Sequence, residues 1–275
     1  MKKLVVLMLT LSLTFAMVGC GQSDDAGVAG SSVENESTDA ASVEESTDES
    51  TEDASEEADE VVVMSHDEYI AAAIEDAVVV ETYVQAKQSW WEDKATIYTQ
   101  AEDGAYFIYN MPCSKEDYDK LTVGTKIRVS GYKAEFSGEI EIADVSSFEI
   151  LEGNYVAEAL DVTALLGTDE LINHQNEFVS FKGMTVEAST DADGNEVAYL
   201  YKWNGSGQDG DDLYFNVSVN GQTYTFTVES YLCDNTTDVY TAVKNLKIGD
   251  KIDMEGFLYW YEGVNPHITS VTAAN

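Results

Sequence analysis

The 275-residue chain carries 52 acidic and 14 basic residues, a formal net charge of −38. So large an anionic excess repels phosphate backbones, which bind by releasing counterions to cationic grooves, and it predicts no nucleic-acid partner. Three cysteines in the whole chain exclude a disulfide-stapled scaffold, so stability has to come from buried apolar cores.

The chain opens MKKLVVLMLTLSLTFAMVGCGQ, two lysines followed by an apolar run over residues 4–17 and small residues closing on Cys20. That order is a secretory signal peptide, and the run is short of the roughly 20 residues that span a bilayer. Met17-Val18-Gly19-Cys20 resembles the lipobox of bacterial lipoproteins, with Met at the first position where Leu is usual. The resemblance implies removal of residues 1–19, acylation of Cys20 (palmitate among the acyl groups) and an extracytoplasmic location, with the membrane as first partner.

Residues 21–60 hold 15 acids, no base and no aromatic residue, in a Ser/Thr/Glu-rich string. Such a segment buries too little surface to offset the entropy of ordering, so 20–60 is expected to be a lipidated cysteine plus a disordered acidic linker. Fully extended it reaches at most about 130–145 Å.

Order is expected from Val61. Ser65-His66-Asp67-Glu68 has the capping-box pattern and opens a short helix. VVVETYVQAK from Val78 reads as a strand, IYTQ and AYFIYN as a hairpin around Glu102-Asp103-Gly104, and 114–121 as a second short helix capped by Ser114. LTVGTKIRVSGYKAEFSGEIEI, 121–142, reads as two strands turning at Ser137-Gly138.

The second half repeats the first. Leu121, Gly124, Lys126, Ile127, Gly131 and Gly138 recur 125 residues later as Leu246, Gly249, Lys251, Ile252, Gly256 and Gly263, and Cys113 recurs 120 residues later as Cys233. Two copies of one domain follow, 61–152 and 153–275, the second with an insertion around 191–212. The fold class is mainly β: five strands with a helix between the third and fourth resemble the OB-fold, so the chain reads as two tandem OB-fold-like five-stranded barrels with short helices. With its signal peptide, acidic linker and GTKIRVSGY phrase, it resembles the tandem OB-like surface lipoproteins of Gram-positive bacteria.

Apolar parity around Gly131 changes, from Ile127 and Val129 before it to Tyr132, Ala134 and Phe136 after it, and the same change surrounds Gly256. A β-bulge at each glycine is the expected cause. The flip places Lys133 and Glu135 outward in the first copy and Leu258 and Trp260 in the second. Trp90-Trp91 fall at the turn between the first two strands, where both cannot face the core. The inserted strand 197–203 puts Trp203 on one face with Tyr199 and Tyr201. Trp90, Trp91, Trp203, Leu258 and Trp260 are therefore the ligand-binding candidates. Two readings fit them, packing within or between domains and an aromatic platform for sugars or peptides.

No catalytic set emerges. His66, His174 and His267 are dispersed, with no metal-ligand spacing, and no metal or cofactor is expected. Cys113 and Cys233 precede helices, where a thiol can be activated, but their shared position suits packing. Asp191-Ala-Asp193-Gly194-Asn195-Glu196 starts like a calcium loop and fails at its sixth and twelfth positions, so a hairpin turn is expected. The function that follows is a membrane-anchored, non-enzymatic binding module for a neutral or cationic glycan, peptide or protein. An accessory protein-interaction subunit of an envelope assembly is the alternative, and a hydrolase with an unrecognised carboxylate site the third.

Overall fold

A computed structural model describes residues 61–274; the leader, Cys20 and the acidic segment lie outside them. Among the described residues no helix is long and apolar enough to cross a membrane.

The first barrel runs α1 (His66–Ala71), β1 (Ala77–Lys87), β2 (Lys94–Gln100), β3 (Ala105–Pro112), α2 (Lys115–Lys120), β4 (Thr125–Phe136) and β5 (Glu139–Asn154). The capping box at α1 forms in full: the Ser65 hydroxyl accepts from the Glu68 backbone N–H, and the Glu68 carboxylate accepts from the Ser65 N–H. At α2 the cap is one-sided: the Ser114 hydroxyl accepts from the Asp117 N–H. The strands close in the order β1-β2-β3-β5-β4, with β1 antiparallel to β4 and β3 parallel to β5. Its core includes Val80, Val84, Ile97, Ile108, Ile127 and Val129, all fully buried.

The second barrel contains β6 (Leu160–Asp161), the 3-10 turns Thr163–Leu165 and Leu171–His174, and β7 (Phe178–Glu187). The short strands β8 (Ser189–Thr190), β9 (Glu196–Val197) and β10 (Leu200–Tyr201) follow, then β11 (Leu213–Val219), β12 (Gln222–Val228), α3 (Asp238–Lys244), β13 (Lys251–Phe257) and β14 (His267–Ala273). Because β7 pairs with both β11 and β13, the order β7-β11-β12-β14-β13 also closes. It is the order of the first barrel, down to the parallel pair of third and fifth strands. This Greek-key closure, repeated, is the OB-fold. The β8–β9 hairpin and β10 are the extra chain between first and second strands, and β10 extends the sheet beside β11. The Asp191 carboxylate accepts from the Asp193 and Asn195 backbone N–H groups at 2.9 and 2.8 Å, so the segment is a hairpin turn.

The bulges lie on the strands opposite the glycines. Ser130 faces Ser147 and Tyr132 faces Ala143, so β5 carries the extra residues, while β1 pairs with β4 without a shift. In the second barrel Glu255 faces Ser270 and Gly256 faces Ile268, which places the extra residue on β14. A Cβ at Gly131 would stand 2.9 Å from the Ala143 carbonyl oxygen, and one at Gly256 2.2 Å from that of His267. The glycines admit the bulged partner rather than bend their own strand.

The alternation therefore continues through both glycines, and the expected parity flip is corrected. Ile127, Val129, Gly131 and Lys133 all point inward, while Tyr132 and Phe136 are exposed. Leu258 is likewise fully buried in the second core and is not a surface residue. Lys133 is accommodated inside because its ammonium donates to the Tyr69, Ile70 and Ala72 carbonyls at the end of α1, at 3.0, 2.8 and 2.8 Å.

Candidate functional site

The barrels share a buried aromatic junction. Tyr98 and Phe107 of the first pack with Phe257 of the second, flanked by Phe178, Leu232 and Tyr259. Polar contacts fix the register. The Tyr98 hydroxyl and His267 Nδ1 are 2.6 Å apart, the Gln100 side-chain oxygen accepts from the Phe178 N–H at 2.8 Å, and Asn176 Nδ2 donates to the Ile140 carbonyl at 2.9 Å. The fully buried Glu139 carboxylate accepts from the Trp260 N–H at 2.8 Å and from Gln175 Nε2 at 3.2 Å. Burial pushes that carboxyl up to about 8, the Trp260 N–H and the Asn176 amide opposing the shift. The turn between β4 and β5, one of the two loops that border an OB-fold's ligand surface, is consumed in this junction.

The other such loop of the first barrel, between β1 and β2, stays open. Trp91 and Lys94 exchange backbone hydrogen bonds around Glu92 and Asp93, whose φ values are +48° and +57°. Positive φ at both central residues is the two-residue hairpin turn whose twist matches the flanking strands. It leaves Trp91 67 % exposed. Trp90 turns the other way, its indole N–H donating to the Cys113 carbonyl at 2.9 Å and fastening the loop to the end of β3. The Tyr118 hydroxyl adds a second tie, donating to the Gln88 carbonyl at 2.7 Å.

Across from Trp91, β3 bulges: Ala95 faces Met111 but Ile97 faces Ile108, so β3 has one extra residue. The bulge turns both Tyr109 and Asn110 outward, Asn110 at a φ of +49°. The third wall comes from the second barrel. In the turn after β12 the Glu229 carboxylate accepts from the Tyr231 and Leu232 N–H groups, and the Asp212 carboxylate accepts from the Ser230 N–H. Burial pushes the Glu229 carboxyl up to about 7. The Tyr231 carbonyl then accepts from the Ser89 N–H at 2.7 Å, joining this turn to the β1–β2 loop.

These elements enclose a cleft of about 450 Å³, lined by Trp91, Tyr109 and Tyr231 with Gln88, Lys94 and Asn110 among its polar groups. Lys94, Tyr109 and Asn110 also border a second hollow that reaches Glu141, whose carboxyl burial pushes up to about 7. The arrangement can stack flat apolar faces on three rings and offer amide, carboxylate and ammonium groups around them. It holds no cysteine or histidine.

Of the residues singled out in the sequence, Trp91 lines the cleft and Trp90 positions it. Trp260 is partly buried at the junction against the second core. Trp203 is 74 % exposed in the inserted segment and is not part of the cleft, and Leu258 belongs to the core. Tyr109 and Tyr231 escaped the sequence reading: one is re-aimed by a bulge, and the other sits in a turn with no pattern to mark it. The two thiols are packing groups, since burial pushes Cys113 up to about 11 and Cys233 up to about 12.

Strand order and cleft together define a double-barrel OB-fold protein with an aromatic recess where the barrels meet. No protein-family model matches the chain, and no curated sequence matches it. Among solved structures it is similar to the p204 HINb domain, at 11 % identity and a TM-score of 0.33 over 74 % of this chain and 99 % of that one. A murine DNA-binding protein bound with double-stranded DNA gives 12 % identity and a TM-score of 0.35 over 72 % and 96 %. A replication protein A heterotrimer bound to single-stranded DNA gives 13 % and 0.31 over 73 % and 49 %. Beside these findings the expectation of no nucleic-acid partner is withdrawn: contact depends on the field in a groove, which the total charge of a chain does not fix.

Proposed function

We propose that the protein is a non-enzymatic binding module, held outside the cytoplasm by lipid on Cys20 with the acidic segment 21–60 as spacer, and that the junctional cleft takes a neutral glycan. The observation that carries this reading is the convergence of Trp91, Tyr109 and Tyr231, three exposed aromatic rings from two barrels, on one recess. Aromatic faces pair with the C–H faces of sugar rings, while Gln88 and Asn110 supply hydrogen bonds for hydroxyl groups. A volume of about 450 Å³ is within the range of small-ligand sites. The junction makes the site composite, since Tyr231 reaches it only when the barrels are docked.

A binding array of neutral and charged glycans, cationic peptides and oligonucleotides, probed with the full chain in detergent micelles, tests the proposal. A neutral glycan that binds wild type and is lost in both Trp91→Ala and Tyr231→Ala supports it. Preference for a peptide or an oligonucleotide, or glycan binding indifferent to both substitutions, overturns it. Membrane attachment is tested separately by metabolic labelling with a fatty acid, which Cys20→Ser has to abolish.

A further inference from the structure

The aromatic cleft continues past Tyr109. Lys94, Tyr109 and Asn110 border both the cleft and a second hollow of about 550 Å³, and Ala143 and Asp144 border both that hollow and a third of about 520 Å³. The third reaches Tyr132 on β4, which is 47 % exposed. The three hollows therefore follow one another across β2, β3, β5 and β4, neighbours in that order around the first barrel. At a strand spacing of about 4.8 Å, the steps from β2 to β4 span roughly 14 Å.

A carboxyl in the middle of this path has no partner among the described residues. Glu141 of β5 stands across from Phe107 of β3 and Ala134 of β4. Its neighbours Ile140 and Ile142 pack into the core, so strand alternation turns Glu141 outward, to the face that carries the hollows. The residue is 7 % exposed, and burial alone acts on its carboxyl, with no hydrogen bond opposing it. Unlike Glu139 Oε1, neither of its oxygens is a sealed atom without a partner, so both stay open to solvent through the second hollow, which the residue lines. A carboxyl largely stripped of water gains more from a donor brought by a ligand than an exposed one does.

Where the second hollow meets the third, the outward residue is the small Ala143, opposite Tyr132. Along the far stretch Asp144, Glu135 and Glu75 add carboxylates, which accept hydrogen bonds but cannot donate them, so the path suits a ligand rich in donors. Lys94, where the first two hollows meet, opposes a cationic one. We propose, on the reading of the aromatic cleft as a glycan site, that the path binds a linear neutral oligosaccharide of three or more pyranose units. One end stacks in the cleft, a central hydroxyl pairs with the Glu141 carboxyl, and the far unit lies against Tyr132.

Isothermal titration of the full chain in detergent micelles tests the path, with β-1,4-linked oligomers of glucose and of N-acetylglucosamine, from one unit to five, as probes. Affinity in one series is expected to rise roughly tenfold or more from one unit to three. Ala143→Phe, which fills the passage between hollows, and Glu141→Ala are expected to abolish that gain. Tyr132→Ala, which removes an exposed ring, is expected to do the same and keeps the path testable if either of the others fails to fold. A gain with length that any folded variant of the three retains overturns the path. Binding that is lost in Trp91→Ala but shows no gain with length also overturns it, and leaves the cleft reading standing. Binding by neither series overturns the path, and the cleft reading falls with it only if the glycan array is blank too.

Discussion

The Tyr98 hydroxyl of the first barrel lies 2.6 Å from His267 Nδ1 of the second, in a contact sealed from solvent. Gln88 Nε2 donates to the tyrosine oxygen at 3.3 Å, which leaves the hydroxyl hydrogen for the imidazole. The His267 ring also stacks on Tyr259 at 4.2 Å. Tyr98→Phe strands a buried nitrogen, so it is expected to destabilise the folded chain by about 1–3 kcal/mol. In a double-mutant cycle with His267→Phe, the pair is expected to lose less than the sum of the single losses, as denaturation midpoints will show.

Burial holds His267 neutral by lowering it to about 3, far below the 6.5 of a free imidazole. A depressed histidine contributes stability above its unfolded value, and that stability is lost as pH falls through the folded one. Between pH 6.5 and 3 the unfolded chain binds the extra proton, so stability should fall by up to about 1.4 kcal/mol per pH unit. Urea titrations compared with His267→Phe at each pH isolate this slope, which the variant must lack.

Glu139 acts in the opposite sense. Its folded value of about 8 stands above 4.5, so the stability that it contributes is present in acid and is lost as pH rises from 4.5 through 8. Glu139→Gln keeps a carbonyl oxygen for the Trp260 N–H and carries no charge. The variant is expected to match wild type near pH 4.5 and to exceed it increasingly toward pH 8; equal denaturation midpoints at pH 8 refute the protonated carboxyl.

Two tryptophan-region substitutions should separate binding from stability. Trp91→Ala touches an exposed ring and is expected to change stability by no more than about 0.5 kcal/mol. Leu258→Ala opens a cavity in the second core and is expected to cost about 2–5 kcal/mol. Calorimetry on the two variants checks the order, and a Leu258→Ala chain as stable as wild type removes that residue from the core.

Gly256→Ala would put a Cβ 2.2 Å from the His267 carbonyl oxygen, a backbone atom that cannot swing aside. A loss of about 1–3 kcal/mol or more is expected from the forced separation of β13 and β14. Hydrogen exchange at the β14 amides, compared with that at the β5 amides of the untouched barrel, locates the damage. Uniform exchange in both barrels refutes a local clash.

Residue order alone settles the features that neighbours along the chain decide. The capping box at Ser65 and Glu68, the Ser114 cap, the hairpin around Gly104 and the duplicated strand order all depend on short-range hydrogen bonds and on period, and each is present as read. The exposure of Trp91 was legible too, because two adjacent tryptophans cannot share one side of a strand. Which side of β4 and β13 faces inward is settled by packing across the barrels. Lys133 reads as a surface residue until the carbonyl end of α1 meets its ammonium, and Tyr132 reads as core until that face is left uncovered. The bulges likewise belong to β5 and β14, strands whose register is set by pairing across the barrel. Tyr109 and Tyr231 become one site with Trp91 only when a bulge turns the first outward and domain docking brings up the second. A side chain's environment is set by chain segments far off in sequence, and residue order carries no local record of them.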